Sequence, residues 1–178
     1  MHVWWRINAR KVVLSYFYQC CFFLWVKKNN VILKDVLSSA NTYTMHDDFD
    51  EHKTNLENDI LTYVHDDPHV VITYILEHYY DKRMQEIDTE YLFAVWPAFH
   101  TYHEEIEQAV NTYTTSFSYD KMDYIDQALF LLWYVEWKVL KTPKEILLNE
   151  LVELSKRYAD TGSSKLINGI MHRILTEE

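Results

Sequence analysis

Residues 149–169 read NELVELSKRYADTGSSKLING. Apolar residues recur at helical spacing as far as Tyr158, and Gly162 with two serines then predicts a polar break. Ser163 or Ser164 is placed to begin the last helix of the chain. This stretch therefore predicts two consecutive helices joined by a short polar segment.

The composition of the 178-residue chain favours a helical fold with a substantial core. Hydrophobic residues make up 48% of the chain and aromatic residues 16%, so general disorder is not expected. Two glycines and three prolines are too few for the turns of a β-sandwich, for a glycine-rich phosphate loop or for a nucleophile elbow. The sequence predicts an all-α bundle of seven or eight helices in one domain, residues 1–178.

The first helix is predicted from a long apolar run. Residues 12–26 are almost entirely apolar or aromatic, with basic residues on both sides, and Asn8 is placed to cap the helix. The run is shorter than the ~20 residues that span a bilayer, and no cleavage site follows it. We therefore expect a helix buried on most of its faces and no membrane association.

Later helix starts are marked by acidic, threonine and proline residues. Leu92, Phe99 and Ile106 belong to a helical apolar stripe that ends near Thr115, and Pro97 should kink or interrupt it. The most hydrophobic helix follows over residues 125–140. The residues predicted to open these and neighbouring helices are Pro68, Asp88, Asp120 or Asp123, and Thr142 with Pro143.

The net charge of −10 is unevenly distributed. Residues 1–30 hold five basic residues and no acidic one, residues 31–140 hold six basic and 21 acidic residues, and the remainder holds six of each. A basic first segment favours an anionic partner, and an acidic middle favours a basic partner. Ordinary solubility charge is the alternative interpretation.

Catalytic and metal-binding patterns are weak. His100, His103, Glu104 and Glu107 lie within two helical turns but lack matching ligands elsewhere, and His65 with His69 is interrupted by Pro68. The adjacent thiols Cys20 and Cys21 lie in an apolar run, which raises rather than lowers a thiol pKa. We expect no catalytic residues, no metal and no cofactor, and reduced cysteines typical of a cytoplasmic protein.

Short patterns along the chain occur in the order found in one known family. The similarity is greatest from about Tyr124 to the end, it includes the first helix, and residues 31–87 match nothing. These patterns resemble the NusB family of bacterial transcription antitermination factors. The matching positions are Ala9, Arg10, Leu14, Tyr18, Gln19, Ile125, Asp126, Gln127, Ala128, Leu129, Glu136, Pro143, Ile146, Asn149, Glu150, Val152, Glu153, Leu154, Tyr158, Ser163, Lys165, Asn168 and Gly169.

The resemblance implies a fold, partners and an organisation of the chain. The fold would contain two three-helix subdomains, with a basic first helix (1–30), an acidic helical region (31–87) and a family-like core (88–178). The protein would be a non-enzymatic RNA-binding factor. It would bind boxA-type RNA together with the ribosomal protein NusE within a transcription elongation complex, without a membrane or small-molecule substrate.

The resemblance also implies site residues. Basic side chains neutralise phosphates and an aromatic ring can stack on an unpaired base. Asp126 would belong to the surface that binds NusE, and Asn168 with Gly169 would permit close helix packing. The polar break would face RNA if the basic segment around the first arginines lies beside it. RNA binding is carried over to Arg6, Arg10, Lys11, Tyr18, Ser163, Ser164 and Lys165.

Two other functions stay open from the sequence. The family's arginine run is reduced to Arg6, Arg10 and Lys11, while Ser164 and Leu166 replace a histidine and a phenylalanine of the family pattern. A helical scaffold that keeps NusE binding and has lost specific RNA recognition is therefore the alternative function. A metal-dependent helical-bundle enzyme is the third.

Overall fold

The computed structural model describes residues 3–28, 72–73, 75–77, 86–114 and 118–177, and these form an all-α fold. The all-α prediction is confirmed, and no strand occurs in these ranges. Residues 72–73 and 75–77 are also helical, and short 3-10 turns cover Trp96–Ala98 and Tyr119–Lys121. The six α-helices of this part of the chain are α1 (Val3–Lys28), α2 (Thr89–Val95), α3 (Phe99–Tyr113), α4 (Tyr124–Leu140), α5 (Lys144–Tyr158) and α6 (Thr161–Glu177).

Helix α4 is the centre of the core. Every residue from Asp126 to Glu136 is buried, and α1, α2, α3, α5 and α6 all pack against this helix. A helix that is apolar around its whole circumference is stable only when other elements cover it on all sides. The most hydrophobic helix of the sequence is therefore enclosed by the other five.

Helix α1 runs antiparallel to α4. Its early residue Arg10 reaches Glu136 near the end of α4, and its later residue Tyr18 lies against Tyr124 at the start of α4. The helix begins at Val3, so the prediction that Asn8 caps it is wrong. The Asn8 side chain instead donates from Nδ2 to the carbonyl of Glu86, at 3.2 Å.

The start and the interruption predicted for the next helices are confirmed. The Asp88 carboxylate accepts a hydrogen bond from the backbone N–H of Tyr91, at 3.0 Å, and so caps α2. Pro97 lies in the 3-10 turn that separates α2 from α3. Because proline cannot donate a backbone hydrogen bond, the two helices form in place of one long helix.

The residues that flank α4 and precede α5 do not cap these helices in the predicted way. Asp123 precedes α4 but makes no side-chain cap. Lys141 ends α4 in the left-handed region, with φ 54° and ψ 33°. Thr142 does not cap α5, because its hydroxyl donates to the Glu136 carboxylate at 3.2 Å. Pro143 is the residue immediately before α5, so it takes the position predicted for Thr142 and the helix starts at Lys144.

The last helix begins before the predicted residues. Helix α6 starts at Thr161, and the Asp160 carboxylate accepts from the backbone N–H of Ser163 at 2.7 Å. Gly162 and both serines therefore lie in the first turn of α6, and Ser163 and Ser164 do not start the helix. Gly169 is exposed, with nothing within 4 Å of a Cβ added there, so its predicted role in close helix packing is also wrong.

Candidate nucleic-acid interface

Arg10 belongs to the core and not to an open surface. Its residue exposure is 6%, and its guanidinium donates to both Glu136 oxygens, at 2.9 and 2.8 Å, and to Glu150 at 2.9 Å. Burial alone would lower the arginine pKa, but the hydrogen bonds and negative charge of Glu136 outweigh it and the pKa is raised. This enclosure argues against a direct contact between Arg10 and an RNA phosphate.

Arg6 is also held by an acidic residue. Its Nε lies 2.7 Å from the Asp88 carboxylate, and its guanidinium carbon lies 4.7 Å from the centre of the Tyr91 ring. The Arg6 side chain is about a quarter exposed, at 26%. Arg6 links α1 to the start of α2, so a phosphate would have to compete with the Asp88 carboxylate for the Arg6 guanidinium.

Lys11 and Tyr18 line a cavity of about 450 Å³ beside α1. Its apolar lining consists of Leu14, Ile75 and Ile125, and Tyr158 at the end of α5 also contributes. Ser15 and Gln19 supply the remaining polar groups. Lys11 is the one charged residue among the described residues that line it, so this part of the lining combines apolar groups with one cation.

An exposed aromatic ridge continues from Tyr18 along α1. Tyr18, Phe22 and Trp25 lie at helical spacing, and each ring packs against the ring of Tyr124, with centroids 5.5 to 6.3 Å apart. Tyr18 is 43% exposed and Phe22 is 37% exposed. Helix α1 therefore presents one aromatic face outward, while most of its described residues are buried or partly buried, as its apolar sequence predicted.

The three polar residues at the start of α6 differ in accessibility. Ser163 and Ser164 are partly buried, and the Ser164 hydroxyl lies 2.8 Å from that of Ser155. Lys165 is exposed and forms no ion pair within the described residues. It lines a second cavity, of about 320 Å³, between the end of α5 and the start of α6. Lys165 is therefore the predicted α6 residue best placed to reach a phosphate.

Asp126 lies inside the protein at the start of α4. Its residue exposure is 6%, and its Oδ1 has no hydrogen-bond partner among the described atoms. Burial raises the pKa of this carboxyl; the nearby charges of Asp123 and Asp160 also raise it, while a hydrogen bond from Ser163 acts in the opposite direction. Asp126 is not available to touch a partner, whereas Asp123 and Asp160 are exposed beside it.

The predicted basic segment of α1 and the start of α6 lie against opposite ends of α4. Arg10 contacts Glu136, while Ser163 lies near Asp126, and these two α4 residues are about 15 Å apart along the helix. Tyr18 is at the Asp126 end because it packs on Tyr124. The structure therefore brings Tyr18, and not Arg6 with Arg10, toward the junction between α5 and α6. Lys11 lines the same cavity as Tyr18 and Tyr158.

The histidine and cysteine candidates pack with neighbouring aromatic and apolar groups. No group of three His, Cys, Asp or Glu residues that could hold a metal occurs within the described ranges, and His65 and His69 lie outside them. His103 packs between Phe99 and Tyr119, and burial lowers its pKa. Burial raises the pKa of Cys20 to about 12 and that of Cys21 well above its usual value. The predicted rise of the thiol pKa values is confirmed.

None of the helices formed by the described residues is both long enough and apolar enough to cross a bilayer.

Fold and surface together define an all-α bundle with an exposed aromatic face along its first helix. The NusB family model matches residues 45–176, and the chain belongs to the NusB family. The match extends into the region that the sequence patterns left unmatched and omits α1. A solved structure of NusB from T. maritima covers 97% of this chain and 92% of its own, with a TM-score of 0.56 and 20% identity, so the two share a fold.

Curated relatives carry the name transcription antitermination protein NusB. The protein from Acaryochloris marina is 30% identical over 90 residues, which are 51% of this chain and 44% of that protein. The protein from Thermoanaerobacter sp. strain X514 is 26% identical over 118 residues, 66% of this chain and 84% of that protein. The match thus spans less than half of the first relative and most of the second.

Several residues of this surface were not predicted as contacts. The sequence identifies Gln19 and Tyr158 only as positions of the family pattern, and it places Phe22 and Trp25 in a helix predicted to be mostly buried. The regular spacing indicated a shared face, but it could not distinguish an exposed face from a buried one. That distinction depends on which helices cover α1, and the sequence alone does not supply it.

Proposed function

We propose that this protein is a non-enzymatic RNA-binding transcription antitermination factor that binds boxA-type RNA together with the ribosomal protein NusE. Membership of the NusB family supports the proposal. The observation that carries it is the exposed Tyr18 ring, which lies beside a cavity whose described lining holds Lys11 and no acidic residue. Aromatic rings stack on unpaired bases, and basic side chains neutralise phosphates.

The proposed RNA surface differs from the full predicted set. Lys11, Tyr18 and Lys165 are its main contacts, and Ser163 and Ser164 contribute at the start of α6. Arg6 and Arg10 are paired with carboxylates, so they support the surface by holding α1 in place and are not among its main contacts.

A basic protein such as NusE would bind the exposed carboxylates at the junction of α4, α5 and α6, next to Lys165 of the proposed RNA surface. Asp123 and Asp160 are exposed there, while the buried Asp126 shapes the start of α4. Complementary charge increases the rate of encounter and selects the orientation of the partners. The scaffold alternative predicts the same protein complex without any contribution to RNA binding.

The test compares the binding of a boxA RNA and of a scrambled RNA by this protein alone, NusE alone, and the two together. We expect the pair to bind boxA RNA more tightly than either protein and to discriminate against the scrambled RNA. A complex with NusE that leaves RNA affinity unchanged would favour the scaffold alternative. The absence of both a protein complex and RNA binding would refute the proposed function.

A further inference from the structure

The cavity beside α1 has the features of a site for one nucleobase. Its volume of about 450 Å³ lies within the range of small-ligand sites, roughly 300–1,000 Å³. Two tyrosines from different helices line it, Tyr18 from α1 and Tyr158 from the end of α5. Both are well exposed, at 43% and 41%, so a flat ring entering the cavity would reach aromatic surface without displacing core residues.

Gln19 supplies polar recognition in the same cavity. Its carboxamide makes no hydrogen bond within the described part of the chain, although it lines an otherwise largely apolar space. A carboxamide offers a donor and an acceptor side by side, and this pair matches the N6 and N7 edge of adenine. Ser15 lies one helical turn earlier and donates to the Lys11 carbonyl at 3.0 Å, so its oxygen is left with acceptor capacity.

The charge around the cavity favours an anionic ligand such as a nucleotide over a cationic or purely apolar one. Lys11 lines the cavity, and the guanidinium carbon of Arg157 lies 5.7 Å from the centre of the Tyr158 ring. No carboxylate occurs among the described lining residues. A base inside the cavity would therefore place its phosphates near two cations.

We propose that this cavity receives a single unpaired RNA base, adenine in preference to the others, with Tyr18 and Tyr158 as stacking surfaces and Gln19 as the residue that reads the base edge. The inference rests on the proposed RNA binding and adds a base-specific contact to it. Phosphate contacts position an RNA without reading its sequence, whereas Gln19 would set a preference.

The experiment uses the full chain and fluorescein-labelled single-stranded RNAs of about nine nucleotides. All are oligouridylates that differ only in the central base, and dissociation constants are measured by fluorescence anisotropy. We expect the adenine-containing RNA to bind at least about fivefold more tightly than the uridine parent. Gln19→Ala should reduce this ratio to about twofold or less and leave the affinity for the parent nearly unchanged.

The tyrosines are tested by the same assay. Tyr158→Ala should weaken every RNA by about fivefold or more, because one stacking surface is lost, and Tyr158→Phe should bind like the unaltered protein. Phe93→Ala is the matched control, since Phe93 is 50% exposed and lies on α2, outside the cavity lining. Circular dichroism of each variant checks the helical fold, and Gln19→Glu provides a second surface change if Tyr158→Ala unfolds.

The outcomes separate this inference from the proposed function. If the unaltered protein binds these RNAs without a base preference, or if Gln19→Ala and Gln19→Glu both keep the preference, the base site is refuted while RNA binding stands. If neither these RNAs nor boxA RNA with NusE binds, both proposals are refuted.

Discussion

The carboxylate of Glu136 on α4 holds the guanidinium of Arg10 on α1 through both of its oxygens, at 2.9 and 2.8 Å. Tyr91 and Thr142 donate hydroxyl hydrogen bonds to the same carboxylate, at 2.8 and 3.2 Å. Glu150 on α5 binds the guanidinium from another side. One buried carboxylate thus joins three helices and the loop after α4, so its loss would leave several polar groups unsatisfied.

Removing the cation of this pair should strongly destabilise the fold. Arg10→Met leaves the Glu136 charge buried without its partner, and we expect the free energy of unfolding to fall by about 3–5 kcal/mol. Urea unfolding followed by circular dichroism measures the change. The double variant Arg10→Met with Glu136→Gln should recover part of the loss, because no unpaired charge then remains.

The control for this prediction is a solvent-exposed pair. Lys156 and Glu153 lie 2.9 Å apart on α5, with side chains 61% and 73% exposed. Lys156→Met should cost less than about 1 kcal/mol. If Arg10→Met lowers the free energy of unfolding no more than Lys156→Met does, the buried network does not stabilise the fold as inferred.

Lys165→Ala should weaken RNA binding and reduce its dependence on salt. Lys165 is exposed at the start of α6, where a phosphate can approach it. Each phosphate contact adds about one unit to the slope of log affinity against log salt, so the variant should lose about one unit. Arg173→Ala, an exposed cation farther along the same helix, should retain the slope. Equal slopes for Lys165→Ala and the unaltered protein would remove Lys165 from the RNA surface.

The sequence predicted the helices best where one residue has one dominant local effect. Asp88 caps α2 and Pro97 interrupts the helix that follows, because a cap and a missing N–H act within a few residues. At the start of α6 several residues compete for the cap. Asp160 caps there, although Ser163 and Ser164 are also good capping residues.

The site was predicted less well because burial is a property of the assembled fold. The sequence alone predicts that an arginine in a basic segment binds phosphate. In the fold, Glu136 and Glu150 surround Arg10 and bind its guanidinium instead. Asp126 was expected on a surface for the same reason, yet the packing of α6 encloses it. Tyr18 is the opposite case, since it stays exposed in a helix that reads as buried.

Lys141→Gly should stabilise the protein. Lys141 ends α4 with φ 54° and ψ 33°, a left-handed conformation that costs free energy for any residue with a Cβ. Glycine adopts it readily and is the preferred residue where a helix ends in this way. We expect the free energy of unfolding to rise by about 0.5–1 kcal/mol in urea titrations. Lys144→Gly, inside the first turn of α5, should instead be destabilising, and a loss of stability in Lys141→Gly would contradict the prediction.

Asp126→Asn should stabilise the protein at pH 7 and not at low pH. Burial raises the pKa of Asp126 above its usual value, and the charges of Asp123 and Asp160 add to the effect. The folded chain therefore binds this proton more tightly than the unfolded chain, and stability is lost as the pH rises from the usual pKa through the raised one. The asparagine variant lacks this loss, so its melting temperature should exceed that of the unaltered protein at pH 7 and converge with it at about pH 3.

Asp160→Ala should change the melting temperature at pH 7 in the opposite direction to Asp126→Asn. The backbone N–H groups of Ser163 and Gly162 lower the pKa of the exposed Asp160, so this carboxylate contributes stability above its usual pKa and loses it as the pH falls. Its removal should lower the melting temperature at pH 7, and the difference should shrink toward pH 3. Parallel melting curves for Asp126→Asn and the unaltered protein across this range would mean that the Asp126 carboxyl titrates normally in the fold, and its burial would then carry no electrostatic cost.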